Sequence, residues 1–257
     1  MKVLIFDTET TGLIKGYNES LYDTDKYPYV VQLSWILFDT ETHILVNVSD
    51  NILKLPDGVD ISEESVKIHG ITKEISREKG KDPKMILRLF ANDLKQSDIC
   101  VCHNTRFDKR MMRIEFIRNK MMDFIYKGHQ EWYCTMNRSK DICKIPRYNK
   151  YIHAREVLEK CKNTFENNPS IGMETKKLRG ELNQIIKTLK ENEKISYKPP
   201  KLIELHEYLF NSKPNNLHNS MVDVYVCFRC YYKLEFNSDI IKMYPELNTH
   251  YNKVCGL

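Results

Sequence analysis

The sequence predicts an α/β fold, a mixed β-sheet flanked by α-helices and carrying a helical insertion. Three observations predict it. Apolar, β-favouring runs open the chain and recur after turn residues, as in a β-meander. Helix-type and strand-type segments then alternate, which lays helices on the faces of the sheet. A long, charged, helix-favouring stretch interrupts that alternation before the chain closes on two more helical segments.

Lys2 to Phe6 reads as the first strand, Val30 to Phe38 as the second and Ile44 to Leu55 as the third. Asp39-Thr40-Glu41-Thr42 supplies hairpin residues between the last two. Ser62 to Gly70 predicts a short helix with a Ser start, acidic Glu63 and Glu64, and a Gly stop. Asp82 to Lys95 predicts a helix, with Pro83 in its first turn and Met85, Leu87, Leu89, Phe90 and Leu94 as apolar positions. Ile99 to Cys102 is a short buried strand, and Thr105 to Asn119 a helix. Tyr151 to Tyr197 is the interrupting stretch. Within it, Thr175 to Lys194 predicts an amphipathic helix with Leu178, Leu182, Ile185, Ile186 and Leu189 on one side. Asn167-Asn168-Pro169 and Lys198-Pro199-Pro200 punctuate it. The expected organisation is one domain over residues 1–257 with a helical insertion at 151–197. Lys201 to Phe210 and His218 to Leu234 predict the closing helices, and Leu247 to Leu257 a short edge extension or disordered end.

Composition bounds the function classes. Hydrophobic residues make up 41% of the chain, which excludes global disorder. No apolar run approaches the ~20 residues of a membrane span. Met1-Lys2 leads straight into a strand without a signal-peptide pattern, so an intracellular protein, cytoplasmic or nuclear, is expected, with its eight Cys reduced. Cys227-Phe228-Arg229-Cys230 would need a second pair to hold zinc, and Cys134, Cys143 and Cys161 are too scattered to supply one. Cys100 and Cys102 read as core, and His129, His153, His206 and His250 as surface residues. Net charge is +5, yet Thr105 to Lys150 alone holds 12 Lys and Arg against 5 Asp and Glu. That concentration suits a polyanion such as nucleic acid, or is simply a solvated basic face. Phe107, Tyr126, Trp132, Tyr133 and Tyr148 lie near it, as core residues or as platforms for bases.

The chemistry starts at Asp7 and Glu9, at the end of the first apolar run. Residues i and i+2 of a strand share a face, so both carboxylates can point into one cleft. A divalent cation relieves their repulsion, and all-oxygen ligands favour Mg²⁺ or Mn²⁺ over zinc. Alone, the pair reads equally as turn or helix-cap residues. Two further patches alter that balance. His103-Asn104-Thr105-Arg106-Phe107-Asp108 ends a strand and places an Asp at a helix start. His218-Asn219-Ser220-Met221-Val222-Asp223 opens another helix, with His218 at its mouth. Four carboxylates and one His can hold two divalent ions ~3.5–4 Å apart for phosphoryl chemistry. His218 is the natural general base, because an ordinary imidazole titrates near working pH.

Asp7-Thr8-Glu9-Thr10-Thr11-Gly12 and those two patches resemble the three motifs of the DnaQ-like (DEDDh) 3′–5′ exonucleases. That family includes the proofreading subunit of bacterial DNA polymerase III and the TREX and ribonuclease T types. His218, five residues before Asp223, matches the histidine branch; the tyrosine branch has Tyr where this chain has Asn219. The resemblance implies a ribonuclease H-like fold with a mixed five-stranded sheet. It implies two metal ions, Mg²⁺ or Mn²⁺, held by Asp7, Glu9, Asp108 and Asp223, with His218 activating the attacking water. It also implies substrate contacts from Thr10, Thr11, Gly12 and Leu13 at the 3′-terminal nucleotide, and from His69, Gly70 and Ile71 around its base. Asn104 and Phe107 would lie beside the terminal sugar and scissile phosphate, and His103 would be structural or hold the substrate loop rather than act in catalysis. The expected activity is stepwise release of 5′-mononucleotides from free 3′ ends of nucleic acid, with DNA favoured. Alternatives are an RNA-processing exoribonuclease and a non-catalytic nucleic-acid-binding module on the same fold. Polymerase association, oligomeric state and a role in proofreading, repair or RNA turnover stay open.

Overall fold

Three antiparallel strands form the meander: β1 (Lys2–Thr10), β2 (Val30–Asp39) and β3 (Ile44–Ile52). Two parallel strands, β4 (Ile99–Cys102) and β5 (Glu131–Cys134), extend the sheet beyond β1. The resulting order is β3-β2-β1-β4-β5, so β1 lies at the centre. Between β3 and β4 come α1 (Glu63–His69), α2 (Lys73–Lys79) and α3 (Pro83–Gln96); α4 (Thr105–Arg118) links β4 to β5. The short α5 (Thr135–Arg138) and α6 (Lys140–Cys143) follow, then α7 (Lys150–Glu166) and α8 (Glu174–Asn192). The chain closes with α9 (Leu202–Phe210), α10 (Ser220–Phe236), α11 (Ile240–Met243) and α12 (Pro245–Cys255). This is the architecture of a computed structural model that describes residues 1–124, 130–147, 150–166, 174–192 and 196–255. Tyr126, His129, Tyr148 and Asn167-Asn168-Pro169 lie outside the described residues.

Strand alternation builds two apolar layers. Val3, Ile5, Ile36, Phe38 and Val101 pack with α10 on one face. Leu4, Phe6, Leu33, Trp35, Leu37, Cys100 and Cys102 pack with α3 and α4 on the other. Cys227 and Cys230 are buried in the α10 layer. No described helix is long and apolar enough to cross a membrane.

Several local features differ from the sequence expectation. β1 runs on to Thr10, because residues 7–10 keep pairing with β2 through Asp7↔Ser34 and Glu9↔Gln32. β3 stops at Ile52, where Leu53 leaves it to bridge Lys81. α2 and β5 carried too little periodicity to be located: the first is seven residues capped by Thr72, and the second is four residues long. The C-terminal segment is a helix, with Leu247, Tyr251 and Cys255 buried against the α10 layer.

His206, expected on the surface, is only 1% exposed. Its Nδ1 donates to the Ser212 carbonyl at 2.8 Å and its Nε2 accepts from the Tyr251 hydroxyl at 3.0 Å. Arg229 completes the cluster, paired with Asp239 at 2.7 Å and lying over the Phe210 ring. Tyr251 and Arg229 come from distant parts of the chain, so no local pattern around His206 announces its burial.

The described residues divide into two compact units, Met1–Cys143 with Pro200–Leu257, and Lys144–Pro199. The second unit holds α7 and α8. Lys190 pairs with Glu159 across the two helices at 3.4 Å, and Ile186 is buried while Ile185 is exposed. Arg147 N–H bonds the Ser196 carbonyl and Lys198 N–H the Ile145 carbonyl, which ties the unit's two ends together.

Candidate active site

Strand parity delivers the first two carboxylates. Asp7 and Glu9 continue the alternation of Val3 and Ile5, so they emerge on the α10 side just beyond the apolar layer. Asp223 comes from the first turns of α10. One oxygen each of Asp7, Glu9 and Asp223 lies within 4.8 Å of the others. Thr8 faces the opposite layer, where its hydroxyl donates to Asp108 Oδ1 at 2.9 Å. Asp108 is buried in the first turn of α4 and stands beside the three-carboxylate cluster rather than within it.

The α10 mouth is tightly built. Asn219 caps the helix, its side-chain oxygen accepting from Met221 and Val222 N–H. His218 is exposed and has a left-handed backbone (φ 72°), which directs its N–H to Asp223 Oδ2 at 3.2 Å. The Ser220 hydroxyl donates to the Asp7 carbonyl at 2.7 Å, joining α10 to β1.

Burial dominates the electrostatics. It raises the Asp7 carboxyl to about 7. Burial, reinforced by the charges of Asp7, Asp223 and Asp108, raises Glu9 to about 9. Asp108 and Asp223 are held well above the carboxylate range, by burial first and then by Asp7. Among the described residues no Lys or Arg pairs with any of the four. Asp223 Oδ1 is buried without a hydrogen-bond partner. An orphaned buried oxygen and converging carboxylates fit a divalent cation, which would satisfy the first and separate the second. Asp7, Glu9 and Asp223 are the residues placed to hold it.

The loop after β1 forms one wall. The Thr10 hydroxyl donates to the Gly12 carbonyl at 2.8 Å, and Thr11 N–H to the Tyr29 carbonyl at 2.9 Å. Leu13 is left 83% exposed. His69 bridges this loop to the turn after α1. Its Nδ1 accepts from Ile71 N–H at 3.1 Å, so Nε2 carries the proton given to the Thr10 carbonyl at 3.2 Å. Gly70 makes that turn possible with its φ of 73°, a left-handed conformation that L side chains resist. Leu13 and Ile68 line the same open depression of about 960 Å³, together with Lys15, Asp60 and Glu64.

The second motif is divided. Asn104 is exposed at the start of α4 and its side chain caps nothing. Phe107 packs against the α3–α4 layer. His103 turns to the protein: Nε2 donates to the Pro200 carbonyl at 3.0 Å and Nδ1 accepts from Thr135 Oγ1 at 2.9 Å. Burial lowers its pKa to about 4, so it stays neutral.

Several residues here went unread in the sequence. Thr8 and Ser220 lie inside the motifs but make contacts that only the fold supplies. Gln32 and Ser34 were detectable as polar residues in an otherwise apolar strand. The basic stretch also resolves into distinct parts. Arg110 donates to Glu19 and Tyr27, and Arg118 to the carbonyls of Thr24, Tyr27 and Pro28, so both grip the β1–β2 connection. Arg106 stacks 4.2 Å over the Tyr17 ring and, among the described residues, makes no hydrogen bond or ion pair.

A mixed five-stranded sheet flanked by helices, with acidic residues gathered beyond the end of its central strand, is the ribonuclease H-like fold of exonucleases. The exonuclease family matches residues 4–231, and the chain belongs to that family. Solved structures of Escherichia coli Exonuclease I share the fold. Its complex with a dT13 oligonucleotide aligns with a TM-score of 0.56 at 17% identity, covering 97% of this chain and 44% of that one. The zinc-bound form of its complex with single-stranded DNA aligns at 0.56 and 15%, covering 98% and 45%. The chain thus spans less than half the length of these proteins. None of the curated proteins matches it.

Proposed function

We propose that this protein is a metal-dependent 3′–5′ exonuclease that releases 5′-mononucleotides from free 3′ ends, with single-stranded or frayed DNA as its preferred substrate. The observation that carries the reading is the convergence of Asp7, Glu9 and Asp223 within 4.8 Å, from two separate motifs. Two bound divalent ions would supply charge neutralisation for the attacking and leaving oxygens. The chain's own groups do the rest. His218, exposed at the mouth of α10, takes the proton of the attacking water. Asp223 fixes the His218 backbone and so the reach of its ring. Asp108, held by Thr8, would act on the bound ions through water. The Thr10–Leu13 loop, braced by His69, grips the 3′-terminal nucleotide, with Leu13 against its base. Asn104 and Phe107 border the terminal sugar and phosphate. Arg106, backed by Tyr17, offers free N–H donors to the phosphates that follow.

The DNA preference is supported by the Exonuclease I structures of the same fold, which hold single-stranded DNA. Residues 151–197 fit an insertion in a single exonuclease domain.

One assay panel tests the proposal: 5′-labelled single-stranded DNA, duplex DNA with paired and mispaired ends, and RNA, each with Mg²⁺ or Mn²⁺ and with EDTA. Metal-dependent shortening of DNA from the 3′ end, abolished by Asp7→Ala, is the expected result. Faster shortening of RNA than DNA would establish the exoribonuclease alternative. Salt-sensitive binding of both without turnover would leave a binding module and overturn the enzyme.

A further inference from the structure

Gln32 and Ser34 are an anomaly in β2. Both are buried, at 3% and 0% exposure, in a strand whose other inward residues are apolar. They face α10, in the same parity as Ile36 and Phe38. Across the sheet, Asp7 pairs in register with Ser34, and Ser34 with Asp50 on the edge strand β3.

Their hydrogen bonds run in one direction. The Ser34 hydroxyl and Gln32 Nε2 both donate to Asp50 Oδ1, at 2.7 and 2.8 Å. That bond fixes which way the Gln32 amide faces. Its Oε1 therefore points to α10 and accepts from Ser220 N–H at 3.3 Å, one of the first-turn donors that the helix itself cannot satisfy. Ser220, fully buried, then donates its hydroxyl to the Asp7 carbonyl at 2.7 Å. Ser220 and Asp223 are three residues apart on α10 and so share a face. Asp50 itself is exposed and, among the described residues, has no ion pair, so Gln32 and Ser34 are its business.

We propose that Asp50, Gln32 and Ser220 are positioning residues, a relay that sets the first turn of α10 against β1. The relay thereby fixes the gap between Asp223 and the Asp7–Glu9 pair. The inference rests on the metal-binding reading of that cluster. Divalent-ion coordination distances tolerate little error, so slippage of α10 along β1 would show as weaker metal binding.

The experiment is Mn²⁺ titration of the whole chain by calorimetry, with melting in EDTA as the stability control. Ser220→Ala is expected to weaken Mn²⁺ binding about tenfold, and Asp50→Ala, at an exposed position, about threefold. Asp50→Asn keeps an acceptor oxygen and should bind as wild type. Val48→Ala, on the same edge strand, should also leave binding unchanged. If Ser220→Ala fails to fold, Asp50→Ala against Asp50→Asn decides the matter. Wild-type Mn²⁺ affinity in Asp50→Ala and in folded Ser220→Ala would overturn the relay while leaving the metal site standing. Absence of Mn²⁺ binding by the wild type would overturn the metal reading, and the relay with it.

Discussion

Glu9→Gln should make the metal-free protein more stable at neutral pH while removing its response to metal. Burial and the surrounding carboxylates raise Glu9 from 4.5 to about 9. The folded state therefore keeps a proton that the unfolded chain releases. Stability is fully present below about 4.5 and is lost as pH rises toward about 9. At about 1.4 kcal/mol per pH unit, Glu9 alone removes ~3 kcal/mol between pH 5 and pH 7. For a chain of this size that corresponds to a melting shift of ~6–10 °C. Glutamine keeps the shape and has no proton to lose. Melting in EDTA at pH 5, 6, 7 and 8 should show the wild type falling and the variant falling less, the remainder coming from Asp7, raised to about 7, and from Asp108 and Asp223, which burial also raises. The two curves should meet near pH 5. Saturating Mn²⁺ should restore the wild type at pH 7, because the ion binds the ionised carboxylates and removes the cost of holding their protons, and should help the variant little. A variant that melts below the wild type by the same margin at every pH, with equal gains from Mn²⁺, would refute the reasoning.

Other outcomes follow from the same geometry. His218→Asn should lower kcat by about 10²- to 10⁴-fold while Mn²⁺ binding is retained, because the ring acts on the proton and only the backbone touches Asp223; single-turnover rates and calorimetry check it. Arg106→Ala should raise KM and reduce the salt dependence of DNA binding by a log–log slope of about 1, with kcat little changed. Arg229→Ala should destabilise the fold by about 2–3 kcal/mol, since it strands the partly buried Asp239 and removes a partner of His206, and denaturant unfolding would show it.

Legibility in the sequence followed the distance over which each fact is decided. The meander could be read because β-favouring apolar runs and turn residues are local, and the motif carboxylates because each lies at the edge of a regular element. Asp7 and Glu9 share a face by spacing even when the first strand is taken to end at Phe6. Parity alone sufficed for that, and the longer β1 supplies the pairing with Ser34 and Gln32 that makes it hold. Short elements such as α2 and β5 escaped because four to seven residues offer too few repeats of any period. Burial created by distant partners escaped entirely. His206 depends on Tyr251 and Arg229, and nothing beside it in the chain differs from a surface histidine.

The basic stretch shows why charge counting stops short of function. Twelve cations between Thr105 and Lys150 admitted two readings, a polyanion surface or a solvated face. The fold adds a third. Arg110 and Arg118 spend their donors on carbonyls of the β1–β2 connection, which places them under the loop that starts at the active site. Their charge holds that loop in place rather than facing a substrate. Arg106, on the same helix, keeps its donors and borrows rigidity from Tyr17. Net charge treats the three alike, yet removing Arg118 should loosen the loop, whereas removing Arg106 should weaken only the hold on the strand. Hydrogen-bond direction, which the sequence does not contain, separates the scaffold from the surface that meets a ligand.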